Sequence, residues 1–214
     1  INTFLVKCPG YSDFDIVVGL GILALFRIKS PLGVHRLLSI LILVVVFINL
    51  GANFVNVILQ KPNLFLLHIY TIIDFILLTL IFKSVLPTLI FRSMIVLFPL
   101  FAAINSIFFE KLMSLNELNR SISAFILMFY ALSFFTKTLG EMKISRLESH
   151  PMFWISIGVL FYNASSFFIF LFSRKIDPYN DLWFTYFGLH SIFSIILYFF
   201  YTIALWVRPK TLPV

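Results

Sequence analysis

The stretch from Asn63 to Lys83, NLFLLHIYTIIDFILLTLIFK, decides the fold because it is long enough to cross a bilayer and is almost wholly apolar. Four polar side chains nevertheless lie within its first dozen residues: His68, Tyr70, Thr71 and Asp74. An aspartate near the middle of a spanning helix costs about 2.5–3.5 kcal/mol on insertion scales. An acid at that depth therefore indicates either a functional site or a carboxylate that other buried groups satisfy.

The composition of the whole chain indicates a membrane protein. Of its 214 residues, 61% are hydrophobic, 12% are charged and 28 are phenylalanine, whereas a soluble domain has about 25% charged residues. No soluble fold of this length has an interior for so much apolar surface, but lipid accepts it. The sequence therefore predicts an all-α, polytopic protein of the cell membrane, either the inner membrane or a plasma membrane.

Seven apolar segments of roughly 18–25 residues are each long enough to span the bilayer. They are predicted at about 12–29, 34–59, 64–83, 88–109, 117–137, 152–173 and 183–207. The first is the least regular, since Asp13 and Asp15 crowd its start. Because the connections are short, we expect residues 1–214 to form a single seven-helix transmembrane domain.

The basic residues set the expected orientation. Ten lysines and arginines fall on one side of the predicted spans and six on the other, where the loop at 111–120 is taken to hold two, one of them Arg120. Basic residues accumulate in the cytoplasm, so the N-terminus is expected outside and the C-terminus inside. The net charge is +7, but these residues are scattered singly, which disfavours nucleic acid as a partner.

A weak internal repeat relates the first three segments to the last three. VFINLGANF in the second corresponds to VLFYNASSFF in the sixth, which pairs Asn49 with Asn163. HIYTII in the third corresponds to HSIFSII in the seventh, which pairs His68 with His190. A parallel 3+1+3 repeat, with the fourth segment as a linker, occurs in some transporter folds, whose binding sites lie between the repeats.

The second segment carries a stripe of carboxamides. Asn49, Asn53, Asn56 and Gln60 follow one another at intervals of four, three and four, which places them on one side of a regular α-helix. Such a stripe can line a pocket. It can equally hold helices together through buried amides worth about 0.6–2 kcal/mol each. Both interpretations remain open on the sequence alone.

Polar groups from six segments lie at a similar depth, in the outer half of the predicted membrane. The inner halves are almost entirely Leu, Ile, Val and Phe. Six helices cannot all turn polar groups to lipid, so we predict an outward-facing polar pocket that contains one acid, Asp74. The expected ligand-binding residues are Asn49, Asn53, Asn56, His68, Tyr70, Asp74, Asn163, Tyr186, His190 and Ser194.

A one-sided pocket favours a ligand- or lipid-binding sensor, or an accessory subunit of a larger membrane complex. The expected partners are membrane lipids and another membrane subunit or signalling partner. One alternative is a small-molecule carrier of the parallel-repeat type. Another is an intramembrane lipid hydrolase, for which His68, Asp74 and His190 could hold zinc, although no HxxxH or HExxH spacing is present. No cofactor is expected, and enzymes are the less favoured class.

Two further classes are excluded by single residues. Cys8 is the only cysteine, so neither an intrachain disulfide nor a cysteine-based metal cluster can form. A retinal protein needs a buried lysine on its last helix, and the sequence between Leu182 and Trp206 contains none.

Overall fold

The computed structural model describes residues 11–31, 33–60, 63–86, 89–110, 112, 116–141, 147–173 and 181–207. Over these ranges the chain is all-helical, and the prediction of seven helices is confirmed. The helices are α1 (Tyr11–Arg27), α2 (Gly33–Asn53), α3 (Leu64–Lys83), α4 (Leu89–Phe108), α5 (Glu117–Glu141), α6 (Pro151–Ser173) and α7 (Asp181–Trp206). A π-helical turn, Phe54–Ile58, extends α2, and a short 3-10 turn, Leu147–Ser149, precedes α6.

Within the described ranges, five helices are long and apolar enough to cross a membrane, so the chain is a polytopic helical membrane protein. These spans are Gly33–Ile58, Leu64–Lys83, Glu117–Gly140, Pro151–Leu171 and Gly188–Trp206. The apolar parts of α1 and α4 are shorter, at Ile16–Arg27 and Ser93–Phe108.

Six of the helices form a closed ring. Neighbours pack in the order α1, α2, α3, α5, α6 and α7, and α7 returns to α1. The remaining helix, α4, lies outside the ring and packs mainly on α3. In this order α1–α3 and α5–α7 occupy equivalent places, as a parallel repeat would require. The repeat itself stays a prediction, because any sequential ring has the same neighbours.

The two ends of the bundle differ in chemistry. At the polar end, where α2 ends and α3 and α5 begin, Asn63 Nδ2 donates to the Ala52 carbonyl over 3.1 Å. The opposite end is a packed core that includes Leu38, Phe82 and Leu205. It is less purely apolar than the sequence suggested, since it also buries hydroxyl groups, namely those of Ser39, Thr79 and Ser156.

Two local features fix α6. Pro151 occupies its first position, where a missing N–H costs nothing, and His150 Nδ1 accepts a hydrogen bond from the Met152 N–H over 3.3 Å. Further along, Gly158 permits close approach to α7, because an added Cβ would lie 2.9 Å from Phe200 Cβ. The helix is thus capped at one end and tightly packed in the middle.

Candidate ligand-binding cavity

A hydrogen-bonded network anchors the start of α5 to α3 and α4. Asn116 Nδ2 donates to Thr71 Oγ1 over 2.9 Å, which joins α5 to α3. Asn119 Nδ2 donates to Ser106 Oγ over 3.2 Å, and Ser106 is in turn hydrogen-bonded to His68 Nδ1 at 2.8 Å. His68 is therefore part of the contact between α3 and α4.

Glu110 completes this network by capping α5. One carboxylate oxygen accepts from the Leu118 N–H over 3.0 Å, and the other accepts from Asn105 Nδ2 over 3.0 Å. Asn105 also donates to Asn119 Oδ1 over 3.1 Å. A carboxylate at a helix N-terminus satisfies open N–H groups and complements the helix dipole. The first turn of α5 is thus fixed in place by side chains from α4 and by Glu110, which follows it.

Arg120 projects from this fixed turn towards α6. Its Nη2 donates to the Tyr162 hydroxyl over 2.8 Å. Its guanidinium lies 5.3 Å from the ring centre of Tyr70 and 4.7 Å from that of Phe170. The side chain is 7% exposed. Counting Arg120 with a loop was therefore wrong, since it is a buried cation inside α5.

Asp74 lies behind Tyr70. The Tyr70 hydroxyl donates to Asp74 Oδ1 over 3.4 Å, and the Tyr70 ring faces Arg120. Asp74 and Arg120 are within electrostatic range of each other. The acid that drew attention in the sequence is thus coupled, through one tyrosine, to a cation of opposite charge.

A cavity of about 300 Å³ lies beside Arg120. Its polar wall includes Asn49, Tyr70, Arg120, His190 and Ser194. Its apolar wall comes mainly from α1, α2 and the start of α3, where the lining side chains are Val17, Val45, Ile48, Ala52, Leu64, Leu66 and Leu67. All six helices of the ring contribute residues to its lining.

The structure brings four of the ten expected residues to this cavity: Asn49, Tyr70, His190 and Ser194. Five others are absent from the lining: Asn53, Asn56, His68, Asp74 and Asn163. Tyr186 belongs to α7, but its side chain lies outside the described part of the structure.

The π-helical turn that follows Asn53 explains why Asn56 does not continue the face of Asn49. Within Phe54–Ile58 the hydrogen bonds run from i to i+5, as between the Leu59 N–H and the Phe54 carbonyl at 3.3 Å. The rotation per residue is then smaller than in an α-helix, so Asn56 leaves the face that Asn49 occupies. Gln60 lies beyond the helix with a φ of 50°. The assumption of one regular helix over this stretch was wrong.

The residues paired by the internal repeat behave alike in one case and differently in the other. Asn49 and Asn163 each donate to the carbonyl four residues earlier, over 2.9 and 2.8 Å. His190 Nδ1 lies 3.4 Å from Ser166 Oγ on α6, inside the ring, whereas His68 contacts α4 outside it. The histidines are not structurally equivalent.

The residues suggested for zinc do not come together. Within the described ranges, no group of three or more His, Cys, Asp or Glu side chains is placed to hold a metal ion. His68 is hydrogen-bonded towards α4, while His190 faces the cavity. The structure therefore does not assemble His68, Asp74 and His190 as a ligand set.

Sequence reasoning missed Arg120, Tyr162 and Tyr198, which all line the cavity. A signal for Arg120 was present, because it follows Asn116 by four residues and thus shares its helical face. The predicted segment 117–137 contains Arg120, but the orientation count placed it with the loop at 111–120, and it was not considered as a site residue. Tyr162 and Tyr198 looked like ordinary interfacial or packing tyrosines.

Comparisons with known proteins give no further assignment. No protein family matches the sequence, and neither a curated protein nor a solved structure is similar to it. The function of the cavity therefore has to be argued from its own geometry.

Proposed function

We propose that this protein binds a small ligand within the membrane, in the cavity beside Arg120, and acts as a sensor or as the ligand-holding subunit of a membrane complex. One observation carries the proposal: a buried cation faces a cavity of about 300 Å³ at the polar end of the bundle. Small-molecule sites commonly enclose about 300–1,000 Å³. The volume is adequate for a small ligand.

The energetics of Arg120 support a functional role. A charge at the centre of a spanning helix costs about 2.5–3.5 kcal/mol on insertion scales. Arg120 lies in the first turn of α5, so this figure is the upper bound for its cost. Its hydrogen bond to Tyr162 offsets about 0.6–1.7 kcal/mol at the strength of interhelical bonds in membranes. The two ring contacts, to Tyr70 and Phe170, add about 0.5–2 kcal/mol each. These contacts make the cation tolerable, yet an apolar side chain would stabilise the helices without that cost.

The expected orientation also gains support from Arg120. When Arg120 is no longer counted as a loop residue, five basic residues remain on the side of the predicted N-terminus: Lys7, Lys61, Lys111, Arg174 and Lys175. The opposite side keeps ten, so the asymmetry increases. This favours an N-terminus outside and a C-terminus in the cytoplasm, in an inner or plasma membrane. The cavity then belongs to the outer half of the bilayer.

A carrier is a second candidate, favoured by the ring order and by the equivalent hydrogen bonds of Asn49 and Asn163. In parallel-repeat transporters the substrate lies between the repeats, and this cavity is lined from both halves of the chain. Uptake by proteoliposomes would support it, provided that filling the cavity abolishes the uptake. Binding without uptake would leave the sensor or subunit role.

The experiment for the proposed function compares two variants with an added phenylalanine. Ala52→Phe fills the cavity, because Ala52 is part of its wall. Leu50→Phe is the control, because Leu50 is 47% exposed on the outer surface. Each protein is purified in detergent and denatured, and the released small molecules are identified by mass spectrometry. We expect a component that is present with the wild type and Leu50→Phe and lost with Ala52→Phe. Identical profiles from all three proteins would contradict the proposal.

A further inference from the structure

Building on the proposed function, we infer that the ligand of this cavity is a singly charged anion with an apolar body, of which a medium-chain monocarboxylate is the simplest example. The inference rests on which charge reaches the cavity, which donors remain available there, and what the other walls are made of.

The sign of the ligand follows from the placement of the two coupled charges. Arg120 lines the cavity, whereas Asp74 does not. Tyr70 contacts both, with its hydroxyl on Asp74 and its ring under the guanidinium. A ligand in the cavity therefore meets the cation directly and the acid only across a tyrosine. An anion is favoured, and a cation would be repelled at the point of contact.

The hydrogen-bond inventory of the wall points to the same group. Asn49 and Ser194 each use a donor on their own helix, to the carbonyls of Val45 and His190. Arg120 has five N–H donors in a planar fork, and within the described residues its hydrogen bond is the one from Nη2 to Tyr162. The fork matches the two oxygens of a carboxylate or a phosphodiester. Arg120 is thus the wall residue best able to bind an anionic head group.

The remaining walls limit the ligand to one negative charge and an apolar body. Among the described lining residues Arg120 is the one lysine or arginine, so a second negative charge would lack a cation. Opposite it, Val17, Val45 and Ile48 offer apolar surface. A volume of about 300 Å³ is at the lower end for small-molecule sites. It suits one short chain better than two acyl chains.

The test compares octanoate with 1-octanol, which has the same chain and no charge. Wild-type protein in phosphatidylcholine nanodiscs is titrated with each, and the apparent Kd is obtained from the rise in the thermal unfolding midpoint. We expect octanoate to bind about 10- to 100-fold more tightly than 1-octanol, because one hydrogen bond between charged groups gives a difference of that size. Equal affinities for the two ligands in the wild type would overturn the inference. This comparison needs no variant.

Variants then assign the preference to Arg120. Arg120→Gln is expected to abolish the preference, while Arg120→Lys keeps part of it because the charge remains. Arg27→Gln is the matched control, since Arg27 lies beside a different cavity between α1 and α7, and it should behave as the wild type. A preference that persists in Arg120→Gln, or that is lost in Arg27→Gln, would contradict the assignment.

Ala52→Phe separates failure of the inference from failure of the proposed function. Suppose that the wild type binds octanoate and octanol with equal affinity. If Ala52→Phe then loses the binding of both, the cavity is a binding site without charge preference. If it leaves the binding of both unchanged, the cavity is not the site and the proposed function also fails. Phosphatidylglycerol in the nanodiscs distinguishes two sources of the same chemistry. If phosphatidylglycerol competes with octanoate, the natural ligand is a lipid phosphodiester. If it does not compete, the natural ligand is a free carboxylate. Both outcomes agree with a site for a monoanion.

Discussion

The contact between Arg120 and Tyr162 offers a quantitative test of the buried cation. Tyr162→Phe removes the hydroxyl that accepts the 2.8 Å hydrogen bond from Arg120. The ring contacts of Arg120 with Tyr70 and Phe170 remain. The guanidinium should therefore stay in position and lose one partner.

The magnitude follows from the environment of the pair. Hydrogen bonds to charged groups contribute about 1.5–3 kcal/mol in soluble proteins, while interhelical ones in membranes average about 0.6 and reach about 1.7 kcal/mol. This bond is charged, short and almost fully buried, with Arg120 7% and Tyr162 9% exposed. We therefore expect a coupling free energy near the upper membrane value, about 1.5 kcal/mol.

A double-mutant cycle measures this coupling. Arg120→Met, Tyr162→Phe and the double variant are unfolded by titration with sodium dodecyl sulfate in mixed micelles, and helicity is followed by circular dichroism. Tyr201→Phe replaces Tyr162→Phe in the control cycle, because Tyr201 is also a buried tyrosine but is not the hydrogen-bond partner of Arg120. The control coupling should be near zero. A Tyr162 coupling below about 0.3 kcal/mol, within the additivity error of such cycles, would refute the contact.

Three other predictions concern stability and are tested by the same unfolding titration. Gly158→Ala should destabilise the protein by about 1–3 kcal/mol, because the added methyl group overpacks against Phe200. Gly188→Ala is the control, since its Cβ would meet open space, and it should be neutral or slightly stabilising. Equal effects of the two substitutions would contradict the close approach of α6 and α7. Glu110→Gln should cost about 0.3–1 kcal/mol by removing the charge from the α5 cap, and a stabilised variant would contradict that role. Burial lowers the pKa of His150, so the unfolded chain takes up the proton first as the pH falls below about 6.5. Wild-type stability should fall over that window relative to His150→Asn, and parallel curves would contradict the cap.

The helices were predictable because lipid imposes one dominant constraint. Every backbone polar group in the bilayer needs an internal partner, so apolar segments of sufficient length become helices. The predicted segment 64–83 coincides with α3. When the π-helical turn is counted with α2, the largest boundary difference is at α5, which ends at Glu141, beyond the predicted 137. The apolar run stops earlier, but the helix continues, and Lys137 Nζ donates to the Val85 carbonyl over 2.7 Å.

The site was harder to predict because it depends on which way side chains turn between helices. Helical period grouped Tyr70, His190 and Ser194 with the polar faces that the structure turns to the cavity, since each lies in an uninterrupted helix. It misplaced Asn56, because the π-helical turn changes the rotation per residue. It could not separate His68 from His190, since the position of α4 outside the ring is a property of the packed bundle.

Arg120 shows how one assumption about topology can hide a site. A basic residue near a predicted span is normally assigned to a loop, since the positive-inside rule counts it there. Here α5 begins at Glu117, as predicted, and Glu110 caps it, so Arg120 lies in its first turn. The charge therefore faces the protein interior.

The most direct test of a ligand cavity beside Arg120 uses a single cysteine. Replacing Cys8, the one native cysteine, with serine gives a background in which Ser191→Cys reports from the cavity wall. Ile192→Cys reports from the adjacent outward-facing position, where Ile192 is 52% exposed. The rate of modification by an anionic methanethiosulfonate reagent is measured with and without octanoate. We predict that octanoate slows modification at position 191 at least several-fold and leaves position 192 unchanged. Equal rates at position 191 with and without octanoate would contradict the account.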